Sequence, residues 1–116
     1  MIGMTKELID IKGGEYQITA LMNASMEGHG KIVELLLNNG ADVDVRSDFL
    51  GFHAIHYATY YGHLDVAKLI AKKHPEVLIS RTRGLLSKNE TPLYLAKQKG
   101  HKHIVDWIKN EKGVME

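Results

Sequence analysis

The sequence predicts an all-α repeat solenoid with short β-hairpin fingers, and three observations predict it. One pattern occurs three times: Thr19-Ala-Leu-Met-Asn-Ala-Ser-Met-Glu-Gly28-His29, His53-Ala-Ile-His-Tyr-Ala-Thr-Tyr-Tyr-Gly62-His63 and Thr91-Pro-Leu-Tyr-Leu-Ala-Lys-Gln-Lys-Gly100-His101. The Gly-His pairs lie 34 and then 38 residues apart. Each copy is followed by a second apolar-periodic segment. Self-similarity at this period marks a stack in which every unit buries its apolar face against its neighbours.

Taken in order, residues 1–14 read as an N-terminal cap, with a short helical turn around Lys6–Ile9 and then a strand. The first unit spans 15–47. Thr19 is a good N-cap, Leu21 and Ala24 share a face three residues apart, and Gly28 ends the helix in the left-handed region. A second helix follows, in which Ile32, Val33, Leu35 and Leu36 form an apolar stripe. Asn39-Gly40 stops it, and Ala41-Asp-Val-Asp-Val-Arg46 alternates as one arm of a hairpin would.

The second unit, 48–85, repeats this with Ile55, Ala58, Val66, Leu69 and Ile70. Pro75 closes its second helix, because the residue before a proline is pushed out of the helical region. The segment from His74 to Asn89 exceeds a standard finger, so a longer basic finger carrying Arg81, Arg83 and Lys88 is expected. The third unit, 86–116, uses Leu93, Ala96, Ile104, Val105, Trp107 and Ile108. Pro92 stands at N1, where its fixed φ suits the helix. Lys109 replaces the Leu37 of the first unit, as a last helix with a polar outer face requires. Alanine recurs at Ala24, Ala58 and Ala96, where helices of adjacent units must pass closely.

These repeated starts and their spacing resemble the ankyrin-repeat family, whose units begin T-P-L-H-x-A and recur about every 33 residues. The resemblance implies three stacked helix-turn-helix units, a concave groove of first helices and finger tips, and docking of partner proteins in that groove. The match is uneven. Only the third unit has Thr91-Pro92-Leu93; the first has Ala20 and Met22 where proline and histidine are usual. The second has His53 at the cap, a weaker choice than threonine, so His53→Thr is expected to stabilise by about 0.5–1 kcal/mol.

Charge is nearly balanced at +1, but it is unevenly placed. Residues 1–50 carry four Lys/Arg against eight Asp/Glu, and residues 51–116 carry eleven against six. Such a balance is far from that of a nucleic-acid binder. With no cysteine there is neither a disulfide framework nor a thiolate zinc site. No basic n-region precedes an apolar run at the start, and no stretch is long enough to span a bilayer, so an intracellular protein of cytoplasm or nucleus is expected.

Chemistry is suggested in three places and fails in each. His29, His63 and His101 recur after the helix-ending glycine, which points to hydrogen bonds between adjacent loops. His53 and His56, three apart, could meet a metal from one helical turn. No carboxylate recurs beside them, and the resemblance assigns His56 to a capping network. Gly28-His-Gly30-Lys31 lacks the hydroxyl residue and the glycine spacing of a phosphate loop. No catalytic residue, cofactor or metal is therefore expected.

Binding is expected on the residues the core does not claim. In the first unit these are Tyr16, Met26 and Glu27. In the second they are Asp48, Phe49, Phe52, Tyr57, Tyr60 and Tyr61, which hold both phenylalanines and three of the five tyrosines. Aromatics of this kind are enriched at interface hot spots. Arg81 and Arg83 of the long finger, with Lys97 and Lys99 of the third unit, form a basic flank opposite Glu15, Glu27 and Asp48, and Gln98 of the third unit belongs to the same expected surface. The expected activity is non-catalytic protein binding as adaptor or inhibitor by a monomer. The other reading is a subunit of a larger assembly, or an oligomer whose acidic and basic ends meet head to tail.

Overall fold

A computed structural model describes residues 6–111. The helices run α1 (Lys6–Ile9), α2 (Ala20–Glu27), α3 (Gly30–Asn38), α4 (Ala54–Tyr61), α5 (Leu64–Lys73), α6 (Pro92–Gln98) and α7 (Lys102–Lys109). A 3-10 turn, Pro75–Ile79, follows α5. The expected N-terminal cap lies partly outside the described residues; its helical turn is α1.

Helices α2, α4 and α6 pack side by side as an inner row, and α3 packs on α5 in an outer row. The seam of the inner row is the recurrent alanine: Ala24, Ala58 and Ala96 are all buried. A larger side chain there would push neighbouring units apart. Thr19 and Thr91 cap α2 and α6 as their sequence implies, each hydroxyl accepting a backbone N–H at 3.2 Å. Two residues before each cap the chain takes a left-handed turn, at Gln17, Gly51 and Asn89.

The fingers depart from expectation. Among the described residues they contain no strand ladder, only an isolated bridge between Gly13 and Ile18. Each finger keeps a few bonds of its own, such as Thr82 N–H to Glu90 O and Ser47 N–H to Phe52 O, and other backbone groups bond sideways to the next finger. Asp48 N–H donates to Tyr16 O, and Arg83, Gly84 and Leu86 N–H donate to Gly51, Leu50 and Phe49 O. A Cβ at Gly84 would fall on the Phe49 carbonyl, so glycine is needed for this approach. The long finger therefore does not project freely. Part of its extra length is the 3-10 turn, which buries Val77 and Leu78, and the rest docks on the second finger.

The apolar stripe expected on α3 also divides. Val33 and Leu36 are buried together with Leu37, whereas Ile32 and Leu35 are 48% and 57% exposed.

Successive units are joined by imidazoles. His63 Nε2–H donates to Met26 O, and His101 Nε2–H to Tyr60 O, both at 2.9 Å. The rings fit because Gly28 and Gly62 have no Cβ: one added there would stand 2.6 Å and 2.7 Å from His63 and His101. Gly28, Gly62 and Gly100 share the left-handed backbone (φ 76, 84 and 74), but a Cβ on Gly100 meets nothing. Alanine at any of the three costs about 1–2 kcal/mol in backbone strain. Gly62→Ala is predicted to cost at least about 1 kcal/mol more than Gly100→Ala in urea denaturation, because it also displaces His101. Equal costs would show that the ring contact contributes nothing.

His53 is more than a cap. Its side chain is buried, its Nδ1–H donates to Val45 O at 3.1 Å, and its ring stacks on His56. A threonine at this position would leave the Val45 carbonyl without this donor and the ring space empty. The expected gain from His53→Thr is thus reversed: the structure predicts a loss of about 1 kcal/mol or more in the same assay.

Candidate partner-binding surface

The repeat register brings three pairs of side chains to the C-terminal ends of the inner helices. Met26 and Glu27 close α2, Tyr60 and Tyr61 close α4, and Gln98 and Lys99 stand at the end of α6. Tyr60 and Tyr61 meet edge to face, their centroids 4.9 Å apart. The Lys99 ammonium lies 4.6 Å from the centre of the Tyr60 ring, a cation–π contact that links the third unit to the second. Tyr61, Glu27, Gln98 and Lys99 are exposed, and Met26 and Tyr60 are half-buried.

A second group sits at the finger tips. Tyr16, Asp48, Phe49, Arg81 and Arg83 are all exposed there. Asp48 is held by Tyr16 O through its N–H and by Lys12 through an ion pair of 3.5 Å. The Arg81 guanidinium donates to Asn89 O. Helix α4 separates the two groups along its length of about 12 Å.

Two expected contact residues are not available. Phe52 and Tyr57 are only 4% and 5% exposed, their rings 5.1 Å apart. They fill the space between the second finger and α4, where an apolar ring gains more from burial than from solvent. Burial also pushes the Tyr57 hydroxyl up from its ordinary pKa, although Ser47 hydrogen-bonds to it.

Other features escaped the sequence reading. Arg46 donates from Nη1 to Gly51 O at 2.8 Å and to Arg81 O at 2.9 Å, tying the second finger to the third. Nothing in its local sequence marks this. Tyr94 lines an open cleft of about 470 Å³ with Arg81, Lys88 and Lys97. It occupies the repeat position of Met22 and His56, both fully buried. A comparison of units would have flagged it, since its counterparts in the other two units are polar or apolar core residues. Leu85 and Leu86, also exposed, top the long finger.

The stack and its imidazole joints decide the family. A family model described as ankyrin repeats (3 copies) matches residues 1–81. The chain belongs to the ankyrin-repeat family. The third ankyrin unit, α6 and α7, lies beyond the matched segment but has the same helix pair and the same His101 bond.

Curated relatives of this ankyrin chain include an ankyrin repeat and SAM domain-containing protein 6 from Mus musculus, 32% identical over 57% of the chain. The ankyrin repeat and KH domain-containing protein mask-1 from Caenorhabditis elegans is 35% identical over 79% of it. The E3 ubiquitin-protein ligase XBAT33 from Arabidopsis thaliana is 35% identical over 71%. The chain spans only 8%, 3% and 15% of their lengths. Ankyrin repeats are generally non-catalytic protein–protein interaction modules. Among the described residues no helix is long and apolar enough to cross a membrane, and no group of three His, Cys, Asp or Glu could hold a metal ion.

The paired histidines of the second ankyrin unit have a structural task. His56 Nδ1 accepts the His53 N–H at 2.8 Å, and its Nε2–H donates to Ser80 O at 2.9 Å. One ring thus needs one bare and one protonated nitrogen. Burial pushes His56 down to about 3, with His53 and Arg46 adding repulsion. Burial lowers His53 as well. The unfolded chain takes up these protons near pH 6.5, whereas the folded chain resists them. The stabilisation is therefore complete above pH ~6.5 and is lost as pH falls toward about 3. The slope is at most about 1.4 kcal/mol per pH unit for one histidine. Denaturation at pH 7 and pH 5 is predicted to differ by about 2 kcal/mol from His56 alone, with a shallower difference in His56→Gln. Equal stability at the two pH values would contradict this assignment.

Proposed function

We propose that this ankyrin chain is a non-catalytic module that binds a partner protein through its inner surface, acting as an adaptor or inhibitor. The observation that carries the reading is the Tyr60–Tyr61–Lys99 group. It is an aromatic and cationic cluster on the aligned ends of two packed helices, α4 and α6, its rings and ammonium already in contact with one another. Met26, Glu27 and Gln98 surround it.

The finger tips, with Tyr16, Asp48, Phe49, Arg81 and Arg83, form the second contact. Glu27 and Asp48 belong to an acidic side, and Arg81, Arg83 and Lys99 to a basic one, which orients the partner during encounter. Binding masks or positions the partner without any bond being made or broken. We place the encounter in the cytoplasm or nucleus.

The test is quantitative capture of binding proteins from a cell extract by the wild type and by Tyr61→Ala combined with Lys99→Glu. Both side chains are exposed, so unchanged circular dichroism is expected. The reading predicts at least a tenfold loss of the specifically bound protein, roughly the effect of removing one hot spot. A folded double variant that retains every partner would move the interface elsewhere.

A further inference from the structure

We propose that the finger tips form a peripheral membrane-binding edge. The third finger inserts Leu85 and Leu86 into the surface of an anionic lipid bilayer, with Phe49 beside them and Arg81, Arg83 and Lys88 on the headgroups. This goes beyond the partner-binding reading and does not rest on it. The central group of that reading, Tyr60, Tyr61 and Lys99, lies at the opposite end of α4, and only its second contact, the finger tips, is drawn on here.

The turn corners carry the argument. Residues 84–87 form a tight turn, in which Ser87 N–H donates to Gly84 O at 3.1 Å. The Ser87 hydroxyl also accepts the Gly84 N–H and donates to Gly84 O, so the turn is closed twice. Corner positions usually go to Gly, Pro, Asn, Asp or Ser. Here they are Leu85 and Leu86, 85% and 67% exposed. The other fingers make the same choice: Tyr16 stands in the turn from Gly14 to Gln17 and Phe49 in the turn from Ser47 to Gly51, both exposed. Phe49 even holds a left-handed backbone (φ 65), which a bulky side chain rarely adopts. Turn formation asks for none of these side chains. The corners are also tied to one another, since Tyr16 O accepts the Asp48 N–H and Phe49 O accepts the Leu86 N–H at 2.7 Å. A fixed, protruding row of apolar tips results, and a contiguous exposed row of this kind marks an interaction site.

Two observations choose a bilayer over a protein groove. Leucine is under-represented among protein hot spots, whereas leucine and phenylalanine rimmed by Lys and Arg are what an interfacial segment buries. The charge has that arrangement: Arg81, Arg83 and Lys88 are exposed on either side of the two leucines. An anionic leaflet attracts each of them, and its acyl boundary moulds itself to a protruding tip without a matching pocket. The nearby acids are engaged, Glu90 accepting the Lys88 N–H through Oε1 and Asp48 pairing with Lys12. Glu15 and Asp48 keep the first two fingers shallower, so the third finger leads. Tyr16 then rests at headgroup level, where tyrosine is enriched. Among the described residues no helix is fit to span a bilayer; surface insertion requires none.

Co-sedimentation of the full chain with phosphatidylcholine vesicles containing about 30% phosphatidylserine tests this. The expected result is binding that weakens as salt rises and is at least about fivefold weaker on phosphatidylcholine alone. Leu85→Ser with Leu86→Asn puts turn formers at the corners, so circular dichroism and melting temperature should hold. Vesicle binding should nevertheless fall at least about tenfold. Arg83→Glu with Lys88→Glu should cause a loss of about the same size at low salt. Tyr61→Ala, which weakens the partner-binding group, should leave vesicle binding unchanged, so the two readings fail separately. Because the chain has no cysteine, Leu85→Cys can carry a single polarity-sensitive fluorophore. Its emission should shift to the blue on vesicles, whereas the same label on Tyr61→Cys should not respond. Absence of vesicle binding at low salt would overturn the proposal, and a protein captured by the wild type but lost in the Ser/Asn variant would then assign the tips to a protein partner. Binding indifferent to the corner substitutions, or a blue shift at Tyr61 as well, would overturn it in favour of non-specific adsorption.

Discussion

An imidazole N–H placed at the same position of each joint sets how each unit sits on the one before it. The helix-ending carbonyl of Met26 or Tyr60 faces a histidine that opens the next outer helix. A buried carbonyl of this kind is costly to leave unpaired, and a ring reaches it only through the gap left by a glycine. The glycine thus has two tasks, ending its own helix and admitting the neighbour's ring. Shift one unit by a residue and both are lost, so the stack has one register.

The candidate surfaces follow from that register. Because the inner helices stop at a common level, their last two side chains form a row, and the row can combine residues that sequence places far apart. Lys99 meets Tyr60 in this way. The fingers are aligned by the same device at their other end, with backbone N–H groups and Arg46 binding one finger to the next. The interior of the second unit is closed by its own aromatics, Phe52 and Tyr57, which leaves the exposed side chains at the two margins of α4. The two ends of the stack are unlike each other. One carries Lys109 in place of an apolar residue, and the other keeps Ile32 and Leu35 in the positions that stacking fills elsewhere.

Much of this was legible in the residues. The caps at Thr19 and Thr91, the left-handed Gly28 and Gly62, and the alanine seam are local rules that repetition makes secure. The inter-unit role of His63 and His101 was readable too, because repetition of a residue at one position argues for structure, although His29 in the same position is exposed. The sequence misled where burial depends on neighbours that periodicity does not see. Phe52 and Tyr57 read as surface aromatics, yet each covers the other. Ile32 and Leu35 read as core, since helical periodicity marks them as apolar without saying whether anything packs there. The fingers read as hairpin arms from their alternation, but they form no ladder, and part of their N–H groups turn to adjacent fingers. Arg46 was invisible for a related reason: its acceptors, Gly51 O and Arg81 O, are brought together only by stacking.

The most direct test of the imidazole joint is a double-mutant cycle between Gly28→Ala and His63→Ala, read by urea denaturation. If the His63 ring occupies the space a Cβ would need, the alanine costs more with the ring present than with it removed. The account predicts a coupling of about 1 kcal/mol between the two sites. Strict additivity would mean that ring and glycine do not meet, and that the units are held in register by something else.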